Sequence, residues 1–197
     1  MRTHEGQSET LKPQQFQEVI DHVYKNSKYP IRDIAILQVS YRCGLRAMEI
    51  AGLKLSDILD INGDIKTTVT LRKKTTKGHK GGSAFFTHPE VRLALSKYIN
   101  EVRNLMDVKV DNLFISRKST AFHQGSMSRL FTNIYTKAGY HGCTSHAGRK
   151  SLAVNLNEQN VSVYNIQQIL RHSSITTTVN HYLKVDKETL ATLVGNA

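Results

Sequence analysis

The chain has no tryptophan, few aromatics of any kind and only two cysteines among its 197 residues. Cys43 and Cys143 stand far apart without Cys-x-x-Cys spacing, which argues against a disulfide scaffold and against a structural zinc site. Long apolar runs are missing too: nowhere do about 18 consecutive apolar residues occur, so no segment reads as a membrane span. The opening MRTHEGQSET is polar and lacks the apolar stretch of a secretory signal. The expectation is a globular protein of the reducing cytoplasm. Internal repeats and low-complexity tracts are absent, as are a Walker-type phosphate loop, a His-Glu-x-x-His pair and a carboxylate cluster fit for two metals. No cofactor is expected.

Acid is also in short supply. Against 27 Lys and Arg stand 16 Asp and Glu, a formal net charge of +11. Such a chain repels itself and suits a polyanionic partner, nucleic acid first and an anionic membrane surface second. A basic protein with no such partner is the bland alternative.

The residues that are present organise as one unit. Residues 1–10 read as a disordered lead-in and 11–197 as a single domain. Pro13 suits a first helical turn, with Phe16, Val19, Ile20 and Val23 at helical spacing behind it. Tyr29-Pro30 interrupts, and a second apolar helix follows over Ile31–Arg42 with Gly44 as its stop. LRAMEIAGLKL predicts a short helix. An Asn62-Gly63 pair and the alternating run 66–72 are hairpin and strand signals, with SAFFTH as the returning strand across the basic turn KTTKGHKGG. Pro89 opens an amphipathic helix running to Leu105, and another spans about Met127–Lys137. Beyond Thr144 come SHAGRKSLAVNLN, VYNIQQILRH, ITTTVNHYL and a terminal ETLATLV, each helical. The fold class is therefore mainly α with one small antiparallel β-sheet, an α+β domain.

Chemistry is concentrated in a few scattered side chains. His146 and Arg149 lie three apart on a predicted helix, on one face, with Thr144 or Ser145 as N-cap. The positive helix end there suits an anionic group such as a phosphate. On its own the pair could be two surface residues of a basic helix. Further on, QQILRHSSITTTVNHYLK contains His172 and, ten residues later, Tyr182. Upstream, GLRAMEIAGLKLSDI carries Arg46 at a helix head and Glu49 on the same face.

In order and separation these pieces resemble the signature of the tyrosine recombinase (phage integrase) family: Gly-Leu-Arg with a following Glu, His-x-x-Arg, a Gly-His-Ser-like segment and a final Tyr. The resemblance extends from about residue 11 to residue 190. It departs in two places: Arg171 stands where the family usually has Gly, and Tyr182 follows His172 at a spacing one residue longer than is frequent. The resemblance implies the family's catalytic-domain fold. It implies a site-specific DNA recombinase or integrase that joins DNA to Tyr182 through a 3′-phosphotyrosyl bond, without metal or ATP. Arg46 and Arg149 would clamp the phosphate, His146 would take the tyrosine proton and His172 would bond a non-bridging oxygen. A hairpin lysine would act as general acid. TKGHKGG maps that role to Lys77, with Lys74 and Lys80 as competitors. Glu49 would orient Arg46 or its hairpin neighbours, or be a plain exposed helix Glu; Arg171 would contact DNA or orient the site.

The same resemblance implies double-stranded DNA as partner, a homotetramer that exchanges its C-terminal helix (Leu190, Leu193, Val194), accessory DNA-bending proteins and an origin in a bacterium, a phage or another mobile element. It also implies a short form without the family's N-terminal core-binding domain. A topoisomerase-like nicking-closing enzyme and a non-catalytic DNA-binding regulator of recombination are the competing readings.

Overall fold

Proline has no N–H to lose at the first position of a helix, and its fixed φ suits the turn. In a computed structural model all three prolines of the chain use this: Pro13, Pro30 and Pro89 each begin a helix. The structure describes residues 8–76, 81–106 and 110–182, apart from the side chains of Thr177, Asn180, His181 and Tyr182.

Helix α1 (Pro13–Asn26) buries Phe16, Val19, Ile20 and Val23, the four positions its periodicity singled out. Helix α2 (Pro30–Cys43) is buried on nearly every side and is the axis of the molecule. It packs on α1, on α5 (Pro89–Glu101) and on α7 (Ala147–Glu158). Gly44 stops it in the left-handed region, φ 63, where a side chain would be strained. Two short helices follow, α3 (Ala47–Gly52) and α4 (Leu55–Ile58).

Strands β1 (Thr68–Leu71) and β2 (Gly82–Phe85) pair antiparallel in the register Thr68–Phe85 to Leu71–Gly82. The Asn62-Gly63 signal marks a tight turn flanked by a lone Leu59–Ile65 bridge. The long hairpin lies one segment later. Arg72, at its base, pairs with Asp57 at 3.2 Å and donates to the Gly52 carbonyl, which fastens the hairpin to α3 and α4.

Helix α5 ends at Glu101, before the expected Leu105. A separate 3-10 turn covers Arg103–Leu105 instead, and the Arg103 guanidinium donates to the Val110 and Asn112 carbonyls. Helix α6 (Gln124–Lys137) precedes α7. Two more helices close the described chain, α8 (Val163–Leu170) and α9 (Ile175–Tyr182). The predicted terminal helix ETLATLV lies outside the described residues.

One large apolar cluster joins α1, α2, α5, α6 and the sheet, and includes Phe16, Ile36, Leu37, Tyr98, Phe114, Phe131 and Tyr135. Phe16 and Tyr41 stack at 3.8 Å between centroids. At the N-terminal side the expected lead-in over 1–10 gives way at Ser8. Ser8 Oγ accepts from the Thr144 amide at 2.9 Å, and the Glu9 amide donates to the Gly142 carbonyl at 2.9 Å. Among the described residues no helix is long and apolar enough to cross a membrane.

Candidate active site

The α2–α3 corner supplies the first residues. Arg46 is the N-cap of α3, and Glu49 on the first turn accepts both from the Arg46 amide at 2.9 Å and from its guanidinium at 2.8 Å. Glu49 is 0% exposed, so it is a buried orienting carboxylate and not a surface helix Glu. Arg46 keeps 20% of its side chain in contact with solvent. A cation held on one side by a buried carboxylate and open on the other is suited to receive an anion.

Helix α7 brings the second cation. One glycine places it. A Cβ on Gly148 would lie 2.7 Å from Ser40 Oγ and 3.0 Å from the Tyr41 amide nitrogen, so α7 crosses α2 closely at this point. The neighbouring Arg149 is then driven inward and is 2% exposed. Its guanidinium donates to the Gly44 carbonyl of the α2–α3 corner and to the Leu170 carbonyl at the end of α8.

The expected cap of α7 is displaced. His146 is the N-cap, with Thr144 Oγ1 accepting from its amide at 3.3 Å, and neither Thr144 nor Ser145 caps the helix. His146 is exposed while Arg149 is buried, so the start of α7 leaves the first at the surface and carries the second into the interior. The Ala147 amide closes a turn on the Thr144 carbonyl at 2.9 Å, and the Thr144 amide donates to Ser8 Oγ of the N-terminal segment.

The end of α8 supplies Arg171 and His172. Arg171 caps the helix at φ 55, ψ 43, the left-handed conformation for which glycine is the usual choice. Its side chain folds inward and pairs with Glu49 at 2.9 Å. His172 Nδ1 lies 2.9 Å from Oγ1 of Thr178, a fully buried residue of α9. Sequence reasoning passed over Thr178. Only its place in the Thr176–Thr178 run, four residues before Tyr182, could have drawn notice.

Burial works to raise the Glu49 carboxyl. The Arg171 charge, the Arg46 amide and the Arg46 and Arg149 charges outweigh it and hold the group below the ordinary carboxylate range. Beside them, burial pushes the Cys43 thiol up to about 12, against the opposing pull of Arg171, so it is an inert thiol.

The structure thus brings Arg46, Glu49, Arg149, Arg171 and His172 together around the Gly44 corner, with His146 at the rim. Lys74 lies exposed in a 3-10 turn after β1. Lys77 and Lys80 lie outside the described residues. Tyr182 ends α9, and its side chain lies outside them also. No cluster of metal-ligating residues occurs among the described residues.

Residues 9–189 match the family model described as the phage integrase family. Tyrosine recombinase XerC of Leptospira interrogans (serovar copenhageni, strain Fiocruz L1-130) is 28% identical over 159 residues, covering 80% of this chain and 48% of that protein. The chain therefore spans about half the length of the curated relatives it matches. The crystal structure of XerA recombinase superposes with a TM-score of 0.75 at 24% identity, over 97% of this chain and 66% of that one. XerH recombinase bound to palindromic difH substrate in a post-cleavage complex gives a TM-score of 0.75 at 22% identity, over 99% and 55%. At these identities the superpositions establish the fold.

Proposed function

The chain belongs to the phage integrase family of tyrosine recombinases, and from that premise we propose that it cuts and rejoins double-stranded DNA at specific sites through Tyr182. The observation that carries the reading is the meeting of Arg46 and Arg149 at the Gly44 corner, Arg149 on its carbonyl and Arg46 beside it on Glu49.

A phosphodiester repels nucleophiles by its charge, and the pentacoordinate transition state concentrates that charge on equatorial oxygens. Guanidinium groups stay protonated at any working pH and present planar paired donors to such oxygens. Fixed donors of this kind typically contribute about 3–4 kcal/mol each to lowering a barrier. A phenol with an ordinary pKa of about 10 is a poor nucleophile at neutral pH. Neighbouring cations favour its phenolate, and His146 takes the proton. The Tyr182 oxygen then bonds to phosphorus, the bond to the 5′-oxygen breaks, and Lys77 (or Lys74 or Lys80) delivers a proton to the departing alcohol. His172, oriented by Thr178, donates to a non-bridging oxygen. The 3′-phosphotyrosyl bond retains the energy of the broken linkage, so attack by a 5′-hydroxyl reverses the step and rejoins DNA without ATP.

The working form is a homotetramer on DNA, coupled by the terminal segment 188–197 with Leu190, Leu193 and Val194, and aided by accessory DNA-bending proteins. The cytoplasm of a bacterium, or a mobile element within it, is the setting. A nicked duplex built from the DNA flanking the coding sequence tests the reading. Wild type forms a covalent adduct, Tyr182→Phe does not, and EDTA changes nothing. Adduct without recombinant product would replace the reading with a nicking-closing enzyme. Identical behaviour of wild type and Tyr182→Phe would end it.

A further inference from the structure

Arg171 stands at a position where a side chain is unwelcome to the backbone: the left-handed cap of α8, which glycine adopts freely and other residues adopt at a cost. What the arginine does there is visible in its contacts. Nη2 pairs with Glu49 Oε2 at 2.9 Å and donates to the Gly44 carbonyl at 3.2 Å. Nη1 donates to the Ile169 carbonyl at 2.9 Å and to the Ser83 carbonyl of β2 at 3.3 Å. The aliphatic stem runs along β2 so closely that a Cβ on Gly82 would lie 2.8 Å from Arg171 Cδ. One guanidinium therefore touches α8, the α2–α3 corner, α3 and the hairpin that leads to the candidate general-acid lysines. With 8% of its side chain exposed, it faces the protein interior.

We propose that Arg171 is a positioning residue, a buried cationic tie in the place of a glycine turn, which holds Glu49, and through it Arg46, in register with the β-hairpin instead of contacting DNA. Glu49 is faced by Arg46 from its own helix, by Arg149 from α7 and by Arg171 from α8. Removing one of the three leaves a buried carboxylate with less compensation, and the hairpin edge loses the Arg171 link that joins Ser83 to that carboxylate.

The effect on rate rests on the recombinase reading above; the effect on Glu49 does not. Arg171→Gly restores the unstrained turn, so a folded variant is expected. In the full chain, a 13C-carboxyl titration of Glu49 moves to higher pH in Arg171→Gly. Affinity for a fluorescent duplex of the flanking DNA stays within about twofold, with an unchanged salt slope, because no phosphate contact is lost. Adduct formation slows about 10- to 100-fold, the usual scale for losing a group that orients a functional residue. Methylguanidinium restores part of it, and Arg171→Gly adds little in a Glu49→Gln background. An unshifted Glu49 titration, or a loss of duplex affinity with a shallower salt slope, would overturn the proposal in favour of direct DNA contact. Should wild type form no adduct on any flanking duplex, the recombinase reading fails, while the Glu49 titration still decides the tie.

Discussion

The two halves of the molecule are held by different forces. Around α1, α2, α5 and α6 a continuous apolar cluster fills the interior, with the Phe16–Tyr41 and Tyr98–Phe114 stacks inside it. Around α7, α8 and α9 lies a separate, much smaller apolar cluster whose buried members are Ala153, Ile166 and Leu170. There the joining is polar: Arg149 to two carbonyls, Arg171 to Glu49 and Gly44, and His172 to Thr178. Apolar packing is tolerant of direction, whereas guanidinium bonds fix direction. The first half supplies stability and the second supplies aim.

Substitutions can break this division. Arg149→Ala removes one of the two proposed phosphate clamps and leaves the Gly44 and Leu170 carbonyls without that donor; on the proposed function adduct formation should fall at least about 100-fold, read as covalent product per minute. Phe131→Ala in the apolar half should cost about 3–5 kcal/mol in urea unfolding while each folded molecule cleaves at the wild-type rate. If Phe131→Ala slowed cleavage as much as Arg149→Ala does, the division would be wrong. Gly148→Ala sits on the boundary. Its methyl meets Ser40 Oγ and the α2 backbone, and about 1–3 kcal/mol of stability should go together with a measurable loss of rate, since α7 must shift with Arg149 on it. Ser162→Ala removes the side-chain bond to the Asn165 amide that caps α8 and should cost about 1 kcal/mol.

Acid should separate the halves as well. The Glu49 carboxyl lies below its ordinary range in the folded protein, so its contribution is complete above the unfolded glutamate value of about 4.3. It is lost as pH falls through the depressed folded value. Amide exchange at the α8–α9 corner should therefore accelerate in acid ahead of exchange in α2.

Much of the apolar half was legible locally. Proline starts, the Gly44 stop and the Phe16–Val23 spacing are signals carried within one turn of helix, and the hairpin signal at 66–72 lies on β1. The polar half was legible as residue types and order, but not as geometry. Nothing near Arg171 announces that its partner is Glu49, and the Thr144 amide ahead of α7 is bonded by Ser8, far away in the chain. Local patterns encode which face is apolar; they do not encode which distant carboxylate a buried cation will find.

The sequence separations of those ties carry a consequence for time. Arg149 reaches back 105 residues to Gly44, and Arg171 reaches 122 to Glu49. Contacts this remote form slowly, because a long loop must close before any of them is rewarded. After dilution from denaturant, compaction of the aromatic interior should precede recovery of DNA cleavage. On the function proposed above, a newly made chain would pass through an interval in which it is already globular and not yet able to cut.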